Sequence, residues 1–390
     1  MTAKIHLDNN TTTPLDDRVK SVISEALDRF KNPSSETESK AAESISEARG
    51  HLAMMFNVEN DGVVFTPGDI ESNNWVIEGS IRIARKMNRT GTPHVVTTNI
   101  EDPSILEPLK KREKTGEITV TYVAVNPSTG FVTAESILNA LTPATCLVTV
   151  MLANSETGVL QPVSDIFHSI RETFKEKSPF LHSDVAQAAG KILVDVKSLG
   201  ADAVTVVGHK FHGPRNGALI FSPEGIRVLP MVLGENEESG WKHGAENTAN
   251  IVGFGEAARM YGENMNIETL LLQNRDHFEE LLVKNLRNSH VINFMGSPRL
   301  PNTSSVAFID YPSHSCDLLK KCKTFTASTG ADCHKNEGSP VLKACGIPFE
   351  TASKTVCFSF GRLTQLSEIE TVVEELVQLC SPAEGSDNNI

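Results

Sequence analysis

The stretch HSDVAQAAGKILVDVKSLGADAVTVVGHKFHGPR, residues 182–215, places a carboxylate and a lysine at the ends of two apolar runs. These runs, 179–184 and 202–208, have the length and apolar content expected of buried strands. Asp184 is the last residue of the first run, and Lys210 follows the second run just before a glycine-containing turn. A lysine at the end of an apolar strand has little structural use, so its presence points to chemistry.

Apolar runs and segments with helical spacing alternate on both sides of this stretch. The runs that predict strands are GVVFT (62–66), HVVTT (94–98), ITVTYVAV (118–125), CLVTVMLA (146–153) and GALIFS (217–222). The segments that predict helices are 16–31, 36–56, 73–87, 104–114, 135–141 and 163–177. Such alternation predicts right-handed crossovers and a largely parallel sheet with helices on both faces. Ligands of these sheets bind at the carboxyl ends of the strands, which is where Asp184 and Lys210 fall.

The pattern changes near residue 255, where a mostly helical region leads into a smaller alternation of strands and helices. We therefore predict an α/β fold in which a large domain with a mostly parallel sheet is followed by a smaller α+β domain. The predicted parts are an N-terminal segment of the small domain (1–15), the large domain (16–255), the small C-terminal domain (256–380) and a disordered tail (381–390).

The charge and hydropathy of the chain argue against several classes of function. The 390 residues include 36 Lys and Arg against 49 Asp and Glu, a formal net charge of −13. This acidic balance argues against nucleic acid and anionic membrane surfaces as partners, since both favour a basic patch. The chain has no apolar run of about 18 residues, so we expect no membrane-spanning segment. The N-terminal sequence MTAKIHLDNNTTTPL has neither an apolar signal core nor an Arg-rich leader, which predicts a cytoplasmic protein.

The chain contains seven cysteines, an odd number, and its length is far above that of a small secreted domain. Both features predict free thiols rather than a disulfide framework. The cysteines form no CxxC pair, so the sequence gives little support for a zinc site.

A carboxylate and a lysine at neighbouring strand ends meet the needs of a pyridoxal phosphate enzyme. The carboxylate pairs with the pyridinium nitrogen and keeps the ring an electron sink, and the lysine forms a Schiff base and later moves protons at the substrate α-carbon. Asp184 and Lys210 are the candidates for these roles, and Gln187 lies three residues after the carboxylate. The spacing of the two charged residues is equally that of an ordinary salt bridge near a loop, which leaves a purely structural alternative open.

Many short motifs carry a wider resemblance, and they occur in one order along the chain. They are LDNNTTTP (7–14), NPSS (32–35), ESNN (71–74), ANSETG (153–158), HSDVAQAAGK (182–191), GHKFHGPR (208–215), GAEN (244–247), ASTGADCH (327–334) and SFGR (359–362). Together they resemble the cysteine desulfurase and selenocysteine lyase family of the fold-type I pyridoxal phosphate enzymes. The resemblance covers residues 5 to about 378. The stretches GHKFHGPR and GADCH are more similar to selenocysteine lyase than to bacterial desulfurases.

The resemblance implies roles for five residues of this chain. Lys210 would be the Schiff-base lysine, and Asp184 the partner of the pyridinium nitrogen. Gln187 would hydrogen-bond the ring hydroxyl, and His209 would contact the cofactor phosphate. Cys333 would be the nucleophile whose thiolate attacks the sulfur or selenium of the substrate, leaving alanine and a persulfide or selenopersulfide. The polar surroundings of Cys333 suit a reactive thiol, and an incidental surface thiol is the alternative.

The resemblance also implies a pyridoxal 5'-phosphate cofactor and a small amino-acid substrate. It implies a homodimer as well, because sites of this fold are built across a two-fold axis. The preference between selenocysteine and cysteine, and the acceptor of the released selenium or sulfur, stay open.

The residues that should bind the cofactor phosphate are altered in this chain. Where the family turn is similar to SGGTESNN, this chain has Asp69 in place of a glycine and Ile70 in place of the phosphate-binding threonine. A second phosphate-binding threonine, which the family takes from the partner subunit, is replaced by Ala245. A carboxylate repels a dianionic phosphate, so these changes predict weakened phosphate binding.

Three positions that would surround the ring and the substrate also depart from the family. Asp102 replaces the histidine that stacks on the ring, and an aspartate cannot stack. Ser155 replaces the asparagine of an ANNETG-like motif. Cys357 replaces the arginine that grips the substrate carboxylate, which removes both a charge and a bidentate geometry. Arg362 is retained nearby as a weaker candidate for substrate binding.

These observations leave three hypotheses. The first is an active selenocysteine lyase or cysteine desulfurase that depends on the retained residues Asp184, Gln187, His209, Lys210 and Cys333. The second is a catalytically impaired relative that keeps the fold and acts as a structural or binding protein. The third is another pyridoxal phosphate reaction, such as that of a class-V aminotransferase, in which Cys333 would have no role. We favour the first, with selenocysteine as the leading substrate.

Overall fold

The computed structural model describes residues 4–29, 39–87, 91–231, 241–242, 244, 246–264, 266–330 and 338–380. The strands are β1 (Ile5–His6), β2 (Val63–Thr66), β3 (His94–Thr98), β4 (Thr119–Val123), β5 (Thr145–Thr149), β6 (Phe180–Asp184), β7 (Ala203–Val207), β8 (Gly217–Phe221), β9 (Val291–Ile292), β10 (Thr303–Ala307), β11 (Phe325–Thr326) and β12 (Thr355–Ser359). The helices are α1 (Asp17–Arg29), α2 (Ser39–Phe56), α3 (Asp69–Lys86), α4 (Pro103–Lys114), α5 (Ala134–Ala140), α6 (Val163–Phe174), α7 (Val196–Leu199), α8 (Thr248–Glu263), α9 (Ile267–Leu286), α10 (Ser315–Lys321), α11 (Pro340–Ala344), α12 (Phe349–Ala352) and α13 (Leu366–Cys380). None of the helices within these ranges is both long enough and apolar enough to cross a bilayer.

The large sheet of the described residues has seven strands in the order β2-β8-β7-β6-β5-β3-β4. The strands from β7 to β4 pair in parallel, whereas β8 runs antiparallel to both β7 and β2. This arrangement confirms the predicted α/β fold with a mostly parallel sheet. Asp184 ends β6 opposite Thr205 of β7, so the carboxyl ends of these two strands lie side by side.

Helices cover both faces of this sheet. Every residue of β3, β5, β6, β7 and β8 is buried, which is typical of strands enclosed on both sides. On one face, α3 and α4 contribute Trp75 and Ile105 to the core. On the other face, α2, α6 and α8 contribute Phe56, Phe167 and Phe254. The strand ends that carry the candidate residues are therefore held by packing on both sides.

A smaller antiparallel sheet, β12-β10-β9, packs with α9 and α13 around a second core. Within this core the rings of Phe278 on α9 and Phe358 on β12 lie 4.7 Å apart. The N-terminal strand β1 pairs in parallel with β11, and Leu7 joins the same core. The predicted domain boundary at residue 255 falls inside the helix α8.

Candidate active site at the carboxyl ends of the parallel strands

Asp184 lies at the end of β6 and is 7% exposed. Its Oδ1 accepts the backbone N–H of Ala186 at 2.9 Å, and its Oδ2 accepts the side-chain amide of Asn73 at 2.9 Å. Burial, and then the nearby Asp102 carboxylate, raise the pKa of Asp184 to about 7. A buried carboxyl whose described partners are neutral amides is well suited to receive a cationic group.

Lys210 ends the short 3₁₀ turn Gly208–Lys210 that follows β7. Its Nζ donates to the backbone carbonyl oxygens of Asn10 at 2.6 Å and Thr11 at 2.9 Å. Burial lowers the pKa of the Lys210 amine, and Asp69 is the charged group that most strongly opposes this shift. A lysine with a lowered pKa has more free amine at neutral pH and is the better nucleophile.

Gln187 and Lys210 donate hydrogen bonds to the same backbone oxygen. Its Nε2 donates to the Asn10 carbonyl at 3.0 Å, which is the oxygen that also accepts from Lys210. The Oε1 of Gln187 accepts from Lys191 Nζ at 3.0 Å. The structure thus brings Gln187 to the site with both ends of its amide engaged.

Lys191 is a second lysine at this site and was not predicted from the sequence. It is 3% exposed, and its Nζ donates to Asn10 Oδ1 at 2.8 Å as well as to Gln187. Burial, and then the positive charge of Lys210, lower the pKa of Lys191 well below the usual value of a lysine. The signal that could have found it is its place as the last residue of the HSDVAQAAGK motif.

His209 directly precedes Lys210 and is only partly buried. Burial, and then the charges of Lys210 and Arg215, lower the pKa of His209 to about 4. The ring is therefore neutral at neutral pH, where it can donate one N–H to a phosphate oxygen but adds no positive charge.

The first turn of α3 carries two carboxylates, Asp69 and Glu71. Asp69 Oδ1 accepts the backbone N–H of Ile70 at 2.9 Å, and the Ile70 side chain points into solvent with 67% of it exposed. The neighbouring hydroxyls of Thr66 and Ser72 bond to each other at 2.7 Å. The helix start therefore engages its own polar groups and presents a carboxylate.

Asp102, which occupies the predicted stacking position, caps the helix α4. Its Oδ1 accepts the backbone N–H of Ser104 at 2.8 Å, and Pro103 opens the helix. Both features are typical of helix N-termini. The Asp102 carboxylate is also close enough to Asp184 and Lys210 to act on the pKa of each.

Glu101 fixes the loop that leads to this cap. It is 2% exposed, and it accepts the Thr98 hydroxyl at 2.6 Å and the Met151 backbone N–H at 2.9 and 3.0 Å. Burial raises the pKa of Glu101 to about 8. These contacts give Glu101 a structural role behind the site.

The position of the expected carboxylate clamp holds an uncharged side chain. Cys357 on β12 is 4% exposed, and its Sγ lies 3.6 Å from the Ser155 carbonyl oxygen. Burial raises the pKa of the Cys357 thiol, so the thiol is protonated at neutral pH. Lys191 and Glu156 both lie close enough to act on the pKa of Cys357, and burial raises the pKa of Glu156 to about 7.

Arg362 lies near both lysines but is paired with an acid. Its guanidinium contacts the Asp16 carboxylate, and both side chains are largely buried. With Lys191 and Lys210, Arg362 lines a cavity of about 30 Å³. This volume suits about one or two water molecules rather than an amino acid. The role of Arg362 in substrate binding stays a prediction.

Two residues of the predicted site, Cys333 and Ala245, lie outside the described residues. The described cysteines that form no disulfide, as predicted, are Cys146, Cys322, Cys345, Cys357 and Cys380. Cys316 is disulfide-bonded, so the prediction of free thiols is wrong for this residue. The Sγ atom of Cys316 lies 3.8 Å from Thr329 Oγ1, so α10 contacts the segment that follows β11. The spacing of cysteines in the sequence does not predict this contact.

The described residues fit the two ends of pyridoxal 5'-phosphate differently. Asp184 and Lys210 lie at one edge of the sheet and fit a ring nitrogen and an aldehyde, since one is a buried carboxyl and the other an amine with a lowered pKa. The start of α3, with Asp69 and Ile70, does not fit a dianionic phosphate.

The chain is similar to known proteins over almost its whole length. The family model "Aminotransferase class-V" matches residues 5–372. A selenocysteine lyase from Bos taurus is 38% identical over 412 aligned positions, covering 98% of this chain and 94% of that protein. A cysteine desulfurase from Nostoc sp. is 33% identical over 383 positions, covering 96% of this chain and 92% of that protein. A solved structure titled "NifS-like protein" superposes with a TM-score of 0.86 at 26% identity, covering 96% of this chain and 99% of that one.

Proposed function

Because the chain belongs to the selenocysteine lyase and cysteine desulfurase group of the class-V aminotransferase family, we propose that it removes selenium from L-selenocysteine and leaves L-alanine. The same reaction on L-cysteine, with release of sulfur, is included in the proposal. Proteins of this family are pyridoxal phosphate enzymes, and we propose the same cofactor here. The acceptor of the released selenium or sulfur is not specified.

The observation that carries this proposal is that a buried carboxyl and an amine lie at the ends of two neighbouring strands. Asp184 and Lys210 follow β6 and β7, which lie side by side in the large sheet. When bound, pyridoxal phosphate supplies an electron sink for the negative charge that develops at the substrate α-carbon. Asp184 would hold the protonated ring nitrogen, and Lys210 would hold the aldehyde carbon.

Asp184 is prepared for a cation by its surroundings. Its pKa of about 7 reflects burial and a neighbouring carboxylate, and both effects are relieved when a positive group comes within hydrogen-bond distance. The amide of Asn73 and the N–H of Ala186 fix the orientation of the carboxyl. The ring nitrogen would therefore be kept protonated.

Lys210 is prepared to bond and to transfer a proton. Its lowered pKa increases the fraction of uncharged amine, and the carbonyl oxygens of Asn10 and Thr11 fix the position of Nζ. Once displaced by the substrate amine, the Lys210 amine would be free to take and return a proton at the α-carbon.

Cys333, as a thiolate, is proposed as the nucleophile that takes selenium or sulfur from the substrate. Its thiolate would attack the selenium, the bond between selenium and the substrate β-carbon would break, and the β-carbon would keep the electron pair and take up a proton. The products are alanine and a selenopersulfide on Cys333, and no outside oxidant or reductant is needed. Gln187 and His209 are proposed to contact the ring hydroxyl and the phosphate, and Arg362 the substrate carboxylate. A homodimer in the cytoplasm is proposed for the assembled enzyme.

A catalytically impaired relative is the second candidate, and two observations favour it. Asp69 presents a carboxylate where the cofactor phosphate would lie, and the clamp position carries the uncharged Cys357. Such a protein would keep the fold and serve as a structural or binding partner.

Visible absorption spectra test the proposal. Purified wild type with added pyridoxal phosphate is expected to show a visible absorption band that Lys210→Ala lacks and that the exposed-lysine control Lys197→Ala retains. Alanine release from selenocysteine is then expected for wild type and is lost in Cys333→Ala with the band unchanged. A folded wild type that shows no Lys210-dependent band would overturn the proposal in favour of the second candidate.

A further inference from the structure

The start of α3 is the part of the site that departs most from an anion-binding site. A helix N-terminus normally offers free backbone N–H groups to an anion. Here the Ile70 N–H is taken by the Asp69 carboxylate at 2.9 Å, so one donor of this turn is satisfied within the chain. The side chain at Ile70 is apolar and carries no hydroxyl.

The polar side chains beside this turn are engaged as well. Thr66 and Ser72 are buried, and their hydroxyls lie 2.7 Å apart. Both hydroxyl oxygens also lie within hydrogen-bond distance of the Gly68 carbonyl oxygen, Thr66 at 3.2 Å and Ser72 at 3.0 Å, so the two hydroxyl protons are shared among these three contacts. An incoming phosphate would have to break one of these contacts before it could accept a hydrogen bond from either hydroxyl.

Carboxylates surround the amine of the site. Asp69 acts on the pKa of Lys210 more strongly than any other charged group, followed by Asp102, Asp184 and Asp8. Asp69 also acts on Asp184 and helps to raise its pKa. A further dianion in this space is disfavoured, whereas a neutral aldehyde group or a protonated ring is not.

We propose that this chain binds its cofactor through the ring and Lys210, with little contribution from a phosphate, and that Asp69 is the residue that decides this. The inference rests on the proposed function, because it concerns the cofactor of the same site. The ligand class is pyridine aldehydes of the pyridoxal type, with or without a 5'-phosphate. Asp69 acts in two ways: it occupies the Ile70 N–H, and it places a negative charge beside the phosphate position.

Parallel titrations with pyridoxal 5'-phosphate and with pyridoxal test this directly. The readout is the Lys210-dependent absorption band at equilibrium, which gives a dissociation constant for each aldehyde without any substrate turnover. In wild type the two constants are expected to agree within about tenfold. In Asp69→Gly the ratio of the constant for pyridoxal phosphate to that for pyridoxal is expected to fall about 10- to 100-fold, the gain of one charge-assisted hydrogen bond, because any effect of Asp69 on the Lys210 amine is common to both aldehydes.

Two further variants separate the effect of the Asp69 charge from the effect of its hydrogen bond to the Ile70 N–H. Asp69→Asn removes the charge but keeps an oxygen that can accept the Ile70 N–H, so its affinity for the phosphate is expected between those of wild type and Asp69→Gly. Glu71→Gln removes the same charge from the same helical turn and is the matched control, because the carboxylates with the largest effect on the pKa of Lys210 are Asp69, Asp102, Asp184 and Asp8. It is expected to change neither constant by more than about threefold.

The outcomes distinguish this inference from the proposed function. Binding of pyridoxal phosphate by wild type more than 100-fold tighter than pyridoxal, or an unchanged ratio of the two constants in folded Asp69→Gly and Asp69→Asn, would overturn the inference and leave the proposed function intact. Equal binding of both aldehydes without alanine release would support the inference and contradict the proposed function. A band that appears only in Asp69→Gly with pyridoxal phosphate would overturn the inference, because wild type would then bind neither aldehyde through the ring and Lys210. Absence of a band in all variants would overturn both.

Discussion

Replacing Asn10 with alanine is expected to lower the free energy of unfolding by about 3–5 kcal/mol, since this side chain joins the N-terminal segment to the site. Asn10 is 4% exposed, and its Nδ2 donates to the Ser155 carbonyl at 2.9 Å and the Thr303 hydroxyl at 2.8 Å. Its Oδ1 accepts from Lys191 Nζ at 2.8 Å and from Asn302 Nδ2 at 3.1 Å.

The magnitude follows from what the substitution leaves behind. Among the described residues, loss of Asn10 Oδ1 would leave Gln187 as the remaining hydrogen-bond partner of the buried Lys191 amine, and a buried donor without its partner costs about 1–3 kcal/mol. The other three contacts join neutral groups, and each is expected to contribute about 0.5–1.5 kcal/mol. Because contacts that share one side chain are not additive, the expected total lies below the simple sum.

Chemical denaturation of wild type and Asn10→Ala at one pH measures this difference. Asn10→Asp is the matched control: it loses the two donors but keeps the acceptor for Lys191 and adds a negative charge beside that amine, so it is expected to be less destabilising than Asn10→Ala. A double-mutant cycle with Lys191→Met is expected to give a coupling energy of about 1 kcal/mol or more. A loss below about 1 kcal/mol for Asn10→Ala, or strict additivity in the cycle, would refute the reasoning.

Two further predictions concern buried charges elsewhere. Glu101 has a folded pKa of about 8, above its usual 4.5, so its contribution to stability is present at low pH and is lost as the pH rises between these values. Denaturation at several pH values is therefore expected to show Glu101→Gln gaining stability relative to wild type from pH 5 to pH 9, and a constant difference would contradict this. Arg299 and Glu279 form a buried pair at 2.8 and 3.1 Å, so Arg299→Met is expected to cost about 3–5 kcal/mol. The double variant Arg299→Met/Glu279→Leu is expected to recover most of that loss in thermal unfolding, and an unchanged Tm in the single variant would count against the pair.

The large sheet could be predicted from the sequence because its signals are local. The apolar runs that become β6 and β7 are continuous, as expected for strands buried on both faces, and the polar residues that end them are adjacent in sequence. Asp184 and Lys210 can therefore be identified as site candidates from the sequence alone. Their pairing across neighbouring strands followed from the rule that parallel strands end at one edge.

The network around these two residues could not be predicted in the same way, because its contacts join distant parts of the chain. Asn10 bonds to Lys191 and to Thr303, which lie 181 and 293 positions away. No periodicity in a single sequence encodes such a contact. In the sequence Lys191 is only one residue of a motif, and its amide partners depend on contacts between the N-terminal segment and the segment that follows β6.

The sequence around Asp102 contains a helix-capping signal that comparison with the family motif does not reveal. As a substitute for a stacking histidine it counts as a loss, but Asp102-Pro103-Ser104 is also a helix start, with a capping carboxylate followed by proline. The structure has this cap, with the Ser104 N–H bonded to Asp102. The substitution therefore adds a stabilising contact to α4 while it removes a ring contact from the site.

Asp69 and Asp102 both make the pocket more negative. Both lie at the start of a helix, both accept a backbone N–H there, and both act on Lys210 and Asp184. In such positions a carboxylate satisfies the donors that would otherwise attract an anion. The acids favour a protonated ring opposite Asp184 and a cationic Lys210, while they oppose a phosphate. The same two substitutions are thus compatible with chemistry at the ring but weaken binding of the phosphate. For this reason, the affinities for the two aldehydes are more informative than activity alone.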